Sequence, residues 1–227
     1  MMEAAPPIEL GRRIVAEAVG TALLLAVVVG SGIMAENLFR DSVGLALLAN
    51  ALATGGGLVA LILTFEGISG ANFNPVVTIF DAASGGRPWR DVPPYIVAQV
   101  VGAIVGVLAT HAMFERSLFE VSHRVRSGVP LMFSEFVATF GLIAVIWGVA
   151  RKRPDAVAYA VAGYITAAYW FTPSTSFANP AVTIARSVTD SFVGIRPIDA
   201  PGFIVAQLVG GACAAALLRW LDMETRR

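Results

Sequence analysis

Apolar stretches of about one membrane crossing recur along the chain, divided by short polar or charged segments. Six are read, at residues 14–34, 43–65, 95–114, 131–149, 156–171 and 203–221, of which the fifth is the shortest. At 1.5 Å rise per residue, about 20 residues cross a hydrocarbon core of roughly 30 Å. The first stretch is long enough to span and no cleavage site follows it, so it reads as a span rather than a signal peptide. Two more apolar segments, from residue 74 to about 84 and from 179 to about 191, are too short to cross and reach about half-way. Both begin with the same chemistry. Asn74-Pro75-Val76 and Asn179-Pro180-Ala181 put asparagine at a helix N-cap and proline at the first helical position.

These two turns lie 105 residues apart and belong to a longer repeat. Tyr95-Ile96-Val97-Ala98-Gln99-Val100-Val101-Gly102-Ala103 matches Phe203-Ile204-Val205-Ala206-Gln207-Leu208-Val209-Gly210-Gly211, and Glu17-Ala18-Val19-Gly20-Thr21 matches Glu135-Phe136-Val137-Ala138-Thr139. Three matches in the same order define a duplicated unit of span, span, Asn-Pro turn and span. The copies run from about 11 to 114 and about 130 to 221 within one domain. Each holds three spans, an odd number, so the second copy must be inverted in the membrane. Inverted repeats with broken helices near the midplane build solute paths, and non-helical backbone at that depth must be buried in protein or line water. The expected fold is therefore all-α: six transmembrane helices plus two re-entrant half-helices whose N-termini meet.

Composition agrees and narrows the class. The chain is 56% hydrophobic and 14% charged, with mean hydropathy +0.73, too apolar for a soluble domain of 227 residues. Formal net charge is zero, so no nucleic acid or other bulk electrostatic partner is implied. If six spans alternate, ten basic residues (Arg12, Arg13, Arg87, Arg90, Arg151, Lys152, Arg153, Arg219, Arg226, Arg227) fall on one side and five (Arg40, Arg116, Arg124, Arg126, Arg196) on the other. That bias puts both termini in the cytoplasm of a multi-pass plasma-membrane protein. The lone Cys213 excludes an intramolecular disulfide and reads as a small packing residue. His111 and His123 are isolated, which argues against a metal site. No serine–histidine–acid set, glycine-rich phosphate loop or cysteine pair points to an enzyme, and no cofactor is expected.

Polar residues inside apolar spans carry the chemistry. Glu17 and Glu135 sit at matching places, and an intramembrane carboxylate is a functional candidate by default. It either binds a proton or ion, or accepts hydrogen bonds from re-entrant backbone. Duplication, and the lack of a cation in a neighbouring span, favour the anchoring role. Gln99 and Gln207 read likewise as hydrogen-bonding holders of the same loops, and Gly102, Gly106 and Gly210 as close helix contacts.

The two Asn-Pro turns, paired glutamates and paired glutamines in register resemble the aquaporin (major intrinsic protein) family over nearly the whole chain, from Glu17 to Gln207. The resemblance implies one pore per subunit, a homotetramer in membrane lipid, and Asn74 and Asn179 directing N–H donors at a small neutral solute. The positive ends of both half-helices would then oppose protons and cations. Two departures stand out. Val76 replaces the alanine expected in the first turn. Val182 replaces the arginine expected directly after the second. Family spacing assigns the remaining filter positions to Thr54, Ala167 and Ser176. Thr54, Ala167, Ser176 and Val182 are all small and uncharged, implying a wider, less polar constriction without a fixed charge. Arg186, one turn beyond Val182, is a candidate for the outer vestibule; alternatively it bonds loop carbonyls or another subunit. Within the family the chain resembles a bacterial aquaglyceroporin-like branch associated with arsenic resistance. That implies downhill passage of arsenous acid, glycerol and small methylated arsenicals, and of water. The competing readings are a water-selective channel, a proton- or ion-coupled secondary transporter using Glu17 or Glu135, and a structural membrane protein whose pore is occluded at Val76.

Overall fold

The computed structural model describes residues 8–225; Arg226 and Arg227, counted above in the charge bias, lie outside the described residues. Eight α-helices run in the order α1 Leu10–Leu38, α2 Val43–Ser69, α3 Pro75–Ala83, α4 Val92–Met113, α5 Val129–Ala150, α6 Val157–Phe171, α7 Pro180–Ala185 and α8 Ala200–Thr225. The sequence long, long, short, long occurs twice, and no strand is present among the described residues. Among the described residues, five helices are long and apolar enough to cross a membrane. Of the six expected spans the exception is α6, whose 15 residues follow a 3-10 turn over Pro154–Ala156. Together they reach about 28 Å. It ends where Thr172 turns extended, with the Thr172 hydroxyl donating back to Ala168 O at 2.6 Å.

In both halves the first helix packs on the fourth and on the second, as α1 on α4 and α2, and α5 on α8 and α6, while α2 meets α6 across the centre. Small residues permit this. A Cβ on Gly102 or Gly106 would lie 2.2 Å from the α1 carbonyls of Ala18 and Ala22, and one on Gly210 would lie 2.4 Å from Phe136 O on α5. Outward faces remain apolar and exposed, including Val15, Leu23, Leu52, Val101, Phe133 and Val205. Cys213 is exposed on α8, so it is an outward-facing residue and not a packing one.

The short helices start as their sequences require. Asn74 Oδ1 accepts from Val76 N at 2.9 Å, and Asn179 Oδ1 accepts from Ala181 N and Val182 N at 2.9 and 3.2 Å. The second is shorter than its apolar run suggests. Regular α-helix stops at Ala185, a 3-10 turn covers Arg186–Val188, and Thr189 is extended. The Arg186 side chain bonds the carbonyl of Val193, which draws the following chain back over the helix end.

Candidate functional site

The N-termini of α3 and α7 abut at the centre of the bundle, joined by a reciprocal pair of bonds. Asn74 Nδ2 donates to Ala178 O and Asn179 Nδ2 donates to Phe73 O, each at 2.7 Å. Each amide nitrogen carries two hydrogens, so one remains for the cavity that both asparagines line.

Two strained loops lead into the junction. Ala71, Phe73, Ser176 and Ala178 have φ between 47° and 50°, a region non-glycine residues seldom occupy. Buried glutamates hold them. Glu17 Oε1 accepts from Ser69 Oγ (2.7 Å) and Asn72 N (2.9 Å), and its Oε2 from Phe73 N and Gln99 Nε2 (both 2.8 Å). Glu135 accepts from Phe177 N (2.9 Å), Ala178 N (2.8 Å) and Gln207 Nε2 (2.6 Å). The glutamines also donate to the half-helices, Gln99 to Thr78 Oγ1 at 2.8 Å and Gln207 to Thr183 Oγ1 at 2.9 Å. Neither glutamate lines the cavity.

That cavity, about 160 Å³, has a mixed lining. Its size suits a small solute and falls below the roughly 300 Å³ at which drug-sized ligands are held. Part of it is aliphatic: Leu24 and Val28 of α1, Leu58 and Ile62 of α2, Leu142 and Ile146 of α5, and Val157, Val161 and Ile165 of α6. The rest of the lining includes residues 70–74 and 176–179, with the two asparagines among them. Glu66, which the sequence does not single out, lies at one end. Thr54, Tyr169, Ser176, Val182 and Arg186 line the other.

Residues 5–156 and 150–227 match the family described as major intrinsic protein. The chain belongs to the major intrinsic protein family. Among curated relatives it is 54% identical over 218 residues to aquaglyceroporin AqpS of Rhizobium meliloti (strain 1021), covering 96% of this chain and 93% of that protein. It is 31% identical to aquaporin Z of Bradyrhizobium diazoefficiens, covering 94% of each chain. The X-ray structure of the aquaglyceroporin from Plasmodium falciparum superposes with TM-score 0.73 over 92% of this chain and 95% of that one, at 20% identity, which speaks for the fold.

Family spacing places a filter residue at Ala167, and the structure turns that residue away from the cavity. Ala167 is exposed on the outer face of α6 and is absent from the cavity lining. The cavity face of α6 is Val157, Val161, Ile165 and Tyr169, a four-residue spacing. A residue two places from Tyr169 is turned by about 200°. Counting back from Asn179 misses this because a residue count along the chain does not fix which face of α6 turns inward. Tyr169 is buried, and its hydroxyl lies 3.2 Å from Thr54 Oγ1 on α2. An aromatic phenol therefore stands where the count placed a methyl group. The four-residue spacing was the available signal.

Val76, the other departure, points away from the cavity and packs at Gly211 of α8. Arg186 is fully buried, its guanidinium carbon 3.3 Å from the centroid of the Phe177 ring. It both lines the cavity and bonds a loop carbonyl, so the two roles weighed for it are not exclusive. Arg126, counted among external loop charges, is also drawn inside. It donates to Gly194 O (2.7 Å), Ser174 O (3.1 Å) and Phe192 O (3.3 Å), and burial lowers its pKa to about 10. His111 bridges Ser117 O, Leu118 O and Thr189 Oγ1 at 2.8–2.9 Å, a tie between loops.

Proposed function

We propose that the protein is a passive transmembrane channel for small uncharged solutes: glycerol-like polyols, arsenous acid and related metalloids, and water. The observation that carries this is the partly aliphatic cavity ending on two helix N-termini. A solute that presents carbon or a lone pair on one side and hydroxyls on the other matches an aliphatic lining that meets the amide donors of Asn74 and Asn179. The N-terminal ends of α3 and α7 place partial positive charge at the junction, which disfavours cations. In this reading the halves 11–114 and 130–221 are inverted copies forming one channel domain. Glu17, Glu135, Gln99 and Gln207 hold its loops. Asn74 and Asn179 each offer their free amide hydrogen to the solute, and Thr54, Tyr169, Ser176 and Val182 form the constriction. Exposed apolar faces serve lipid and neighbouring subunits of a homotetramer in the plasma membrane, with both termini cytoplasmic. The name and identity of the Rhizobium meliloti aquaglyceroporin support the polyol-like solute class.

Stopped-flow of proteoliposomes tests this. Glycerol, arsenite and water fluxes above protein-free vesicles are expected, and no flux of any of them would sink the proposal. Val182→Arg should cut glycerol more than water; equal loss would contradict a filter at 182. A water-selective channel is the second reading, favoured by the phenol of Tyr169 beside Thr54. It predicts water flux with glycerol at the protein-free level. Ion-coupled transport finds little support, because Glu17 and Glu135 are committed to four and three hydrogen bonds outside the cavity. Val76 faces Gly211 rather than the cavity, which speaks against occlusion there.

A further inference from the structure

The loss of arginine at 182 implies, by sequence, a constriction without fixed charge. The geometry around Arg186 points elsewhere. Val182 and Arg186 are one helical turn apart on one face, and long side chains on a helix lean toward its N-terminus. A guanidinium carried at 186 therefore returns toward the level that 182 leaves open. Its position over the Phe177 ring, two residues before Asn179, places it there.

The guanidinium is also unspent. Among the described residues its Nε donates to Val193 O, its two terminal nitrogens take no protein acceptor, and no carboxylate pairs with it. A buried guanidinium with open donors is costly unless something supplies oxygen acceptors. Ser176 Oγ, of a residue that also lines the cavity, is buried and equally without a partner. The nearby phenol of Tyr169 is shared with Thr54. Unpaired donors and a free hydroxyl thus lie at the end of the cavity that Val182 also lines, beside an aromatic face.

Resting on the channel reading above, we propose that Arg186 supplies the fixed positive charge of this constriction from one turn further along the chain. With Ser176 it forms a subsite for a hydroxyl oxygen of a neutral solute. Moving the charge from 182 to 186 frees the volume beside Val182 while the electrostatic barrier to cations stays in place.

Urea and guanidinium are planar and nearly the same size, one neutral and one cationic, so their flux ratio reads the barrier. Wild-type proteoliposomes are expected to pass urea and exclude guanidinium. Arg186→Gln keeps an N–H donor for Val193 O but removes the charge. It should carry urea while guanidinium flux rises at least about tenfold, each factor of ten being about 1.4 kcal/mol of barrier. Arg186→Lys keeps the charge and should keep the exclusion. An Arg186→Gln channel that carries urea and excludes guanidinium as well as wild type overturns the proposal, as does guanidinium passage through wild type. If Arg186→Gln does not reconstitute, Arg186→Lys decides, since a lysine channel that passes both solutes would equally overturn it. A wild type that passes neither urea, glycerol nor water fails the channel reading itself, which is a separate outcome.

Discussion

Val76 and Gly211 form a size-matched pair, and that pairing can be measured. A Cβ built on Gly211 would lie 2.4 Å from Val76 Cγ1 and 3.8 Å from Ile143 Cγ1. The first distance is more than 1 Å inside ordinary contact. Val76 is buried at the second position of α3, where a β-branched side chain has little rotamer choice. Gly211→Ala alone should therefore cost about 2 kcal/mol, within the 1–3 typical of an overpacked site. Val76→Ala alone removes two methyls from the same contact and should cost about 2 kcal/mol from lost burial and the void left behind. The double variant places alanine on both sides, the combination that the other half has in Ala181 and Ala103, where α7 packs on α4. It should return close to wild type. The favourable coupling is then about 4 kcal/mol, well above the roughly 0.5 kcal/mol scatter of independent sites. Thermal unfolding of the purified channel in detergent reads this as single variants lower in Tm by about 4–8 °C and a double variant restored, using about 2–4 °C per kcal/mol at this chain length. Additive losses would refute the idea that glycine at 211 is what accommodates valine at 76.

Three further outcomes follow from the site. Tyr169→Ala should raise the glycerol-to-water flux ratio at least about threefold by widening the constriction, whereas Ala167→Leu, on the exposed face of α6, should leave it unchanged; the reverse pattern would restore family spacing over the observed helix face. Glu135→Gln puts an amide nitrogen against the donors Phe177 N, Ala178 N or Gln207 Nε2 and should cost about 3 kcal/mol or more, seen as a lower Tm with reduced flux; a wild-type Tm would remove the anchoring role. Asp199 has its pKa lowered, first by the side-chain bond from Arg196 and also by the backbone N–H of Arg126. A depressed carboxylate contributes stability that is present above its ordinary value of 3.8 and lost as pH falls through the lower folded value. Thermal stability should thus fall below about pH 4, and less steeply in Asp199→Asn; an equal fall in both would show that other groups govern the acid limb.

Much of the architecture was legible because the bilayer imposes coarse rules. Span length, the two Asn-Pro caps and the spacing of paired glutamates and glutamines are local or repeat-level signals, and the helices lie where those signals put them. Two short segments that start like helices and cannot cross can hardly be read another way. Details that depend on a neighbour were not legible. The length of α7 was overestimated because its end is decided by Arg186 reaching Val193 O, a contact across a loop. The burial of Arg126 was not legible either, because a basic loop residue carries no mark of the three carbonyls that receive it.

By itself, the sequence determined that this is an all-helical membrane protein made of two matching halves, with asparagine-capped helix ends meeting inside it. Those features follow from hydropathy, capping chemistry and repetition, none of which needs a tertiary contact. Which side chains line the cavity was decided only by the folded structure. Which face of α6 turns inward depends on how that helix packs against α2 and α5, so Tyr169 and not Ala167 lines the cavity. Where a charge sits depends on the reach and lean of a side chain, so a guanidinium anchored at 186 stands beside Phe177 and the cavity even though position 182 is valine.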